Sequence, residues 1–135
     1  MESVRVIELK RVYDHRGNLS VVEQFRDIPF EIKRVYWTYD VPGGESRGGH
    51  AHRELDEFVV AANGSFHLNI TNGKEKFSFF LNHPYMGVLI PRGYWRTLDD
   101  FSSGAVCLVM ASDYYNEEEY IRDYQEFLEF SNVRE

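Results

Sequence analysis

Cysteine is nearly missing from this chain: Cys107 is the one thiol in 135 residues, so no internal disulfide can form. A lone cysteine within an apolar run fits a reducing compartment, and the expected location is the cytoplasm. Positive charge is also in short supply, with 15 Lys and Arg against 22 Asp and Glu and a formal net charge of −7. That balance argues against nucleic acid as a general partner. No apolar run approaches the ~18–20 residues of a membrane span, so no membrane association is expected. The start, Met1-Glu2-Ser3-Val4-Arg5, has neither the basic opening nor the apolar stretch of a secretion signal. Internal repeats, low-complexity tracts and linkers are absent too, so residues 1–135 read as a single domain.

Aromatic residues are plentiful: 9 Tyr and 10 Phe beside 2 Trp, a bias that β-barrels and sugar-binding clefts share. The acidity is concentrated at one end. Residues 113–135 carry eight of the acidic groups and only two of the basic ones, which leaves the body near neutral. A local cluster of arginines there is free to bind an anion.

Short β-type runs recur about every ten residues between turn signals. Val4 to Leu9, Leu19 to Glu23, Ile32 to Tyr39, Phe58 to Ala62, Ser65 to Thr71 and Phe77 to Leu81 are the expected strands. In the run from Ser65, Phe66, Leu68 and Ile70 share one face and His67, Asn69 and Thr71 the other. Asn63-Gly64 signals a type I′ hairpin, and Asn72-Gly73 turns the chain again. Met86 to Ile90 and Ala105 to Ala111 are almost wholly apolar and read as buried strands. Only the end looks helical. Tyr120, Ile121, Tyr124, Phe127 and Leu128 recur at helical spacing after an Asn116 N-cap with Glu119 at N3, which predicts an acidic helix over 117–130.

The chemistry centres on Arg47-Gly48-Gly49-His50-Ala51-His52. On a strand, His50 and His52 leave the same face and enter one space. Gly44, His50, His52, Glu57 and Gly64 follow the spacing G-x5-H-x-H-x4-E-x6-G, which resembles the first cupin motif. A second cupin motif would read P-x-G-x2-H; here Pro91-Arg92-Gly93-Tyr94-Trp95-Arg96 ends in arginine. Cupin metal centres use two His, a Glu and a third His. Arginine offers no lone pair and repels a divalent ion, so no metal is expected, although three ligands remain.

Without a metal, two imidazoles with ordinary pKa values near 6.5 suit proton abstraction beside a carbonyl and reprotonation at a neighbouring carbon. Tyr36, Arg47 and Arg96 are candidate donors to the oxyanion that forms. Arg34, Arg47, Arg92 and Arg96 are candidates for gripping phosphate. Trp37 and Trp95 read as barrel packing, Cys107 as an inert core thiol, and His15 and His83 as surface residues; His67 is left between lining the barrel and facing solvent.

Several segments together resemble one family, the sugar nucleotide 3,4-ketoisomerases. They are Asp14-x-Arg16-Gly17-x-Leu19, Ile28-Pro29-Phe30, Ile32-Lys33-Arg34-Val35-Tyr36, Arg47-Gly48-x-His50-Ala51-His52, Asp100-Phe101-Ser102-Ser103, Ala111-Ser112-Asp113-Tyr114-Tyr115 and Tyr120-Ile121-Arg122-x-Tyr124. The resemblance implies an all-β fold, a cupin jelly-roll barrel with a short C-terminal α-helix. It also implies a homodimer that needs no metal or other cofactor. Its substrate would be dTDP-4-keto-6-deoxy-glucose, converted to a 3-keto sugar used to make 3-amino-3,6-dideoxy sugars for surface glycans. By the same match His50 is the base between C3 and C4 and His52 its partner. Arg34 and Arg47 meet the diphosphate, Tyr36 lines the sugar site, and Arg16 and Arg96 lie near the reacting carbons. Competing readings are a nucleotide-sugar 3,5-epimerase, a metal-dependent cupin oxygenase and a non-catalytic sugar-binding cupin.

Overall fold

The alternation of apolar and polar residues resolves into two five-stranded antiparallel sheets in a computed structural model that describes residues 3–134; the ends of the expected domain, 1, 2 and 135, lie outside it. The first sheet is built from β1 (Arg5–Glu8), β4 (Arg34–Thr38), β6 (Glu57–Asn63), β9 (Met86–Ile90) and β11 (Val106–Ala111), in the order β1-β9-β6-β11-β4. The second contains β5 (Arg47–His52), β7 (Phe66–Thr71), β8 (Lys76–Leu81), β10 (Trp95–Asp99) and β12 (Tyr120–Ile121), in the order β12-β5-β10-β7-β8. A separate hairpin joins β2 (Arg11–Val12) to β3 (Leu19–Ser20). The fold is thus the all-β jelly roll with a short α-helix at its end; among the described residues no hydrogen-bonded ladder closes the two sheets into a continuous barrel.

Side chains from both sheets meet in one core. Phe66, Leu68 and Ile70 face Val59, Ala61, Val88, Ile90 and Val109, and all are buried. The first sheet is covered on its other face as well, where Leu9, Ile28 and Phe30 pack on Phe58, Val60, Leu89 and Met110. A strand buried on both faces has no polar side to show, which is why β9 and β11 read as unbroken apolar runs.

Four local expectations change. The Asn63-Gly64 turn does not make a hairpin, because β6 and β7 enter different sheets. It is a corner between them: Gly64 has φ +67°, and a Cβ there would stand 2.5 Å from Ser102 Oγ and 2.9 Å from Ala105 Cα. The hairpin at Asn72-Gly73 does form, joining β7 to β8. The predicted helix over 117–130 begins later, as α1 (Tyr124–Arg134) after a 3₁₀ turn (Glu117–Glu119) and β12. Asn116 caps only that turn, accepting from the Glu118 amide. Glu119 does not reach back to a cap; its carboxylate accepts the amide protons of Glu54 and Leu55. Trp37 is not core packing but lies on the outer face of edge strand β4, 57% exposed. Finally, β10 was not anticipated, since Trp95-Arg96-Thr97-Leu98-Asp99 shows no clean alternation.

β5 carries a bulge. Arg96 pairs with His50 but the next residue, Thr97, pairs with Gly48, so Gly49 is extra. Gly48 and Gly49 both have positive φ, at 83° and 70°. The insertion resets the parity of the strand. Arg47 and His50, three apart, consequently line the same cavity.

Candidate active site

Glu57, at the first position of β6, is the hub. It is 1% exposed. Ala111 of β11 lies between Glu57 and Arg34 in the sheet, and its small side chain lets Arg34 reach across. Arg34 Nη2 is 4.0 Å from Glu57 Oε2, and the Arg34 guanidinium lies over the rings of Tyr36 and Tyr115. The Tyr36 hydroxyl donates to Glu57 Oε2 at 2.8 Å. From the opposite sheet, Arg96 Nη1 donates to Glu57 Oε1 at 2.5 Å and Arg96 Nη2 to the Tyr94 carbonyl at 3.1 Å. His52 Nε2 is 3.5 Å from Glu57 Oε1.

His50 and His52 do share one face. Their ring centroids are 4.9 Å apart and the rings are nearly perpendicular. Their surroundings differ. His52 is fully buried behind the site. His50 stands on the wall of a cavity of about 380 Å³ that Tyr36, Arg47, Cys107, Tyr120 and Arg122 also line. The Tyr120 ring packs on both imidazoles, 5.0 Å from His50 and 4.5 Å from His52.

Burial shapes the protonation states. Desolvation, then the positive field of Arg96 and the neighbouring His52, lowers the His50 pKa to about 3. Desolvation lowers that of His52 too, against the opposing pull of Glu57. Both rings are therefore neutral at neutral pH. Burial alone would raise the Glu57 carboxyl, but His52, Arg96 and the Tyr36 hydroxyl together hold it below the usual carboxylate range. Burial, with the adjacent Glu57 charge, raises the Tyr36 phenol, which stays protonated. The backbone of Gly48 hydrogen-bonds the His50 ring. His50 Nε2 is buried without a hydrogen-bond partner, as are both ring nitrogens of His52, but of the two rings it is that of His50 which lines the cavity.

The arrangement gathers His50, His52, Tyr36, Arg34 and Arg96 around the Glu57 carboxylate and sets Arg47 on the cavity wall. Arg34 and Arg96 do not line that cavity. Arg16 lies apart, in an exposed turn where Nε and Nη2 donate to the two Asp14 oxygens at 3.1 and 2.8 Å. Arg92 likewise forks onto Asp56, at 3.4 and 3.3 Å. His67 faces outward, with Nδ1 3.1 Å from Asp100 Oδ2, and His15 and His83 are exposed. Cys107 is buried at the cavity's back, where desolvation pushes its thiol up to about 12. Two cavity residues escaped the chemical reading of the sequence, Tyr120 and Arg122. The Tyr120-Ile121-Arg122 segment held them, but helical spacing drew attention to its apolar stripe.

The donor atoms of His50, His52 and Glu57 lie within 4.8 Å of one another, as a three-ligand metal site would require. The set does not fit a divalent cation. Both Glu57 oxygens are engaged, one by Arg96 and one by Tyr36, and Arg96 is a fixed charge only 2% exposed. An ion would have to force a buried guanidinium from the carboxylate it is hydrogen-bonded to. Prolonged dialysis against EDTA is expected to leave turnover unchanged; loss of activity restored by iron, manganese or zinc would refute this.

Comparison with known proteins is consistent across the chain. Residues 2–132 match the family model described as FdtA: WxcM-like, C-terminal. The TDP-4-oxo-6-deoxy-α-D-glucose-3,4-oxoisomerase of Aneurinibacillus thermoaerophilus is 40% identical over 126 residues, covering 93% of this chain and 91% of that one. A 3,4-ketoisomerase from Helicobacter canadensis superposes with a TM-score of 0.94 at 42% identity, over 98% of this chain and 99% of that one. A histidine-to-asparagine variant of a Thermoanaerobacterium thermosaccharolyticum 3,4-ketoisomerase, solved in complex with TDP-4-keto-6-deoxyglucose, gives 0.95 at 36% identity, covering 99% and 97%. With the motif order, the fold and these matches in agreement, the chain belongs to the FdtA, WxcM-like family.

Proposed function

We propose that this protein is a sugar nucleotide 3,4-ketoisomerase acting on TDP-4-keto-6-deoxyglucose. One observation carries the reading: a neutral imidazole, His50, presents an unpartnered nitrogen beside a cavity rimmed by arginines. His50 takes the hydrogen from C3 as a proton. The C–H electron pair becomes the C3–C4 double bond and the C4 carbonyl oxygen becomes an enediolate oxygen. Delivery of a proton to C4, with the hydroxyl proton passing from O3 to O4, completes the isomerisation without gain or loss of atoms. Both transfers fall to His50, since His52 is enclosed behind it. His52 and Glu57 hold the His50 ring in place, and Arg47 faces the developing oxyanion from the cavity wall. Tyr36 and Arg96, already committed to Glu57, set the field. The chemistry is proton transfer alone and calls for no cofactor.

The product, a 3-keto-6-deoxy sugar, is suited to amination at C3 and so to surface-glycan synthesis. A cytoplasmic reaction agrees with the unpaired, buried Cys107; among the described residues no helix is long and apolar enough to cross a membrane. A homodimer is supported by the exposed row of Val35, Trp37 and Tyr39 along edge strand β4 and by Val12, Tyr13 and Leu19 on the β2–β3 hairpin. Sedimentation is expected to give twice the 15.9 kDa chain mass; a stable monomer at working concentrations would contradict it.

NMR of the product tests the reading. The carbonyl is expected to move from C4 to C3 with C5 unchanged. Inversion at C5 would make the protein an epimerase instead, and an unaltered substrate that nevertheless binds would make it a binding protein.

A further inference from the structure

Arg47 and Arg122 are the two cations on the cavity wall among the described residues. The position of Arg122 is fixed by its neighbours. Its guanidinium lies 4.3 Å above the Tyr120 ring. That ring rests on both imidazoles, and the Tyr120 backbone pairs with His52. Arg122 therefore stands at a set distance from the reacting end of the cavity.

Its fork is closed on a carboxylate. Nε donates to Glu117 Oε1 at 2.6 Å and Nη2 to Glu117 Oε2 at 3.0 Å. The Tyr115 hydroxyl adds a third bond to Glu117 at 2.5 Å. Two oxygens on a planar guanidinium is also how a phosphate is held. Both partners are about half exposed, at 52% and 56%, so the pair is wet and easily exchanged. Arg34, in contrast, is committed to the interior beside Glu57.

We propose that Arg122 binds the diphosphate of the substrate and that Glu117 occupies its fork until the nucleotide arrives. This rests on the sugar-nucleotide reading above. The two carboxylate oxygens mark where phosphate oxygens go. Tyr120, between the guanidinium and the imidazoles, spaces the anion from the sugar. Glu117 is a competitor for the site rather than a strut.

Calorimetric titration of the full chain with TDP tests this. Arg122→Gln is expected to weaken TDP about tenfold or more, the effect of losing a charge-assisted fork. Glu117→Gln, which keeps size and the Tyr115 contact but removes the charge, is expected to tighten TDP about two- to fivefold. A strut would behave oppositely, and weaker binding by Glu117→Gln overturns the exchange. Unaltered binding by a folded Arg122→Gln overturns the diphosphate assignment. Wild-type protein without affinity for TDP would bring down the substrate reading itself, a result separate from both.

Discussion

Exchanging His50 for asparagine is expected to lower turnover of the 4-keto sugar nucleotide by about 10²–10⁴-fold, the range of a general acid–base group. The measurement is incorporation of deuterium at C3 in D2O, followed by NMR, with TDP affinity read in parallel. Asparagine keeps a polar amide near the position of the ring's Nδ1 and lacks a nitrogen able to take a proton near neutrality. Binding should survive, because the arginines at the rim are untouched. Wild-type exchange in the variant would remove His50 as base. The pH dependence supplies a second readout. Burial and the Arg96 charge hold the His50 pKa to about 3, so its neutral form persists as the solution is acidified through the usual histidine range. The acid limb of kcat/KM is therefore expected well below pH 6.5; an inflection at the ordinary histidine value would mean that the ring is far better solvated than its surroundings imply.

Replacing Glu57 by alanine is the substitution expected to cost most stability, about 3–5 kcal/mol, the penalty for removing one partner of a buried ion pair. Arg96 would remain 2% exposed without the Glu57 charge, the Tyr36 hydroxyl would lose its acceptor, and Arg34 would lose an opposite charge 4.0 Å away. A chain of this size should then melt roughly 10–20 °C lower. Replacing Glu57 and Arg96 together by leucine and methionine should recover much of that loss while leaving the enzyme inactive. A single variant that melts within about 2 °C of wild type would show that Glu57 is not the counter-charge we describe. The same carboxylate contributes to acid sensitivity. Its folded-state pKa is lowered to about 2 from an ordinary 4.5. The stability it supplies is thus fully present above pH 4.5 and is lost as pH falls towards 2.

Legibility in the sequence follows the range of the interaction involved. Period-two patterning is local, and it placed Phe66, Leu68 and Ile70 in the core and both histidines on one face. The Asn63-Gly64 dipeptide announces a sharp bend, but whether the flanking strands pair depends on competing partners elsewhere in the chain, here β11 and β9 for one and β10 and β8 for the other. Helical spacing at 120–128 misled because β5 captures Tyr120 and Ile121 as a strand, and the Glu119 carboxylate anchors the preceding turn to residues 54 and 55. The arginine in place of a cupin histidine was visible as chemistry. Its burial onto Glu57, across two sheets, was not. Tyr120 and Arg122 became site residues through the same capture. For the sequence, they were two steps along an amphipathic pattern.

The paired glycines before His50 have a consequence for how such strands evolve. Arg47 and His50 stand three apart, so on an unbulged strand of the same length they would leave opposite faces; the extra glycine returns the arginine to the cavity, and deleting it would leave the pair two apart and still on one side. Bulge and length here offset each other, so a strand of this kind can gain or lose a single glycine without turning its anion-binding side chain away.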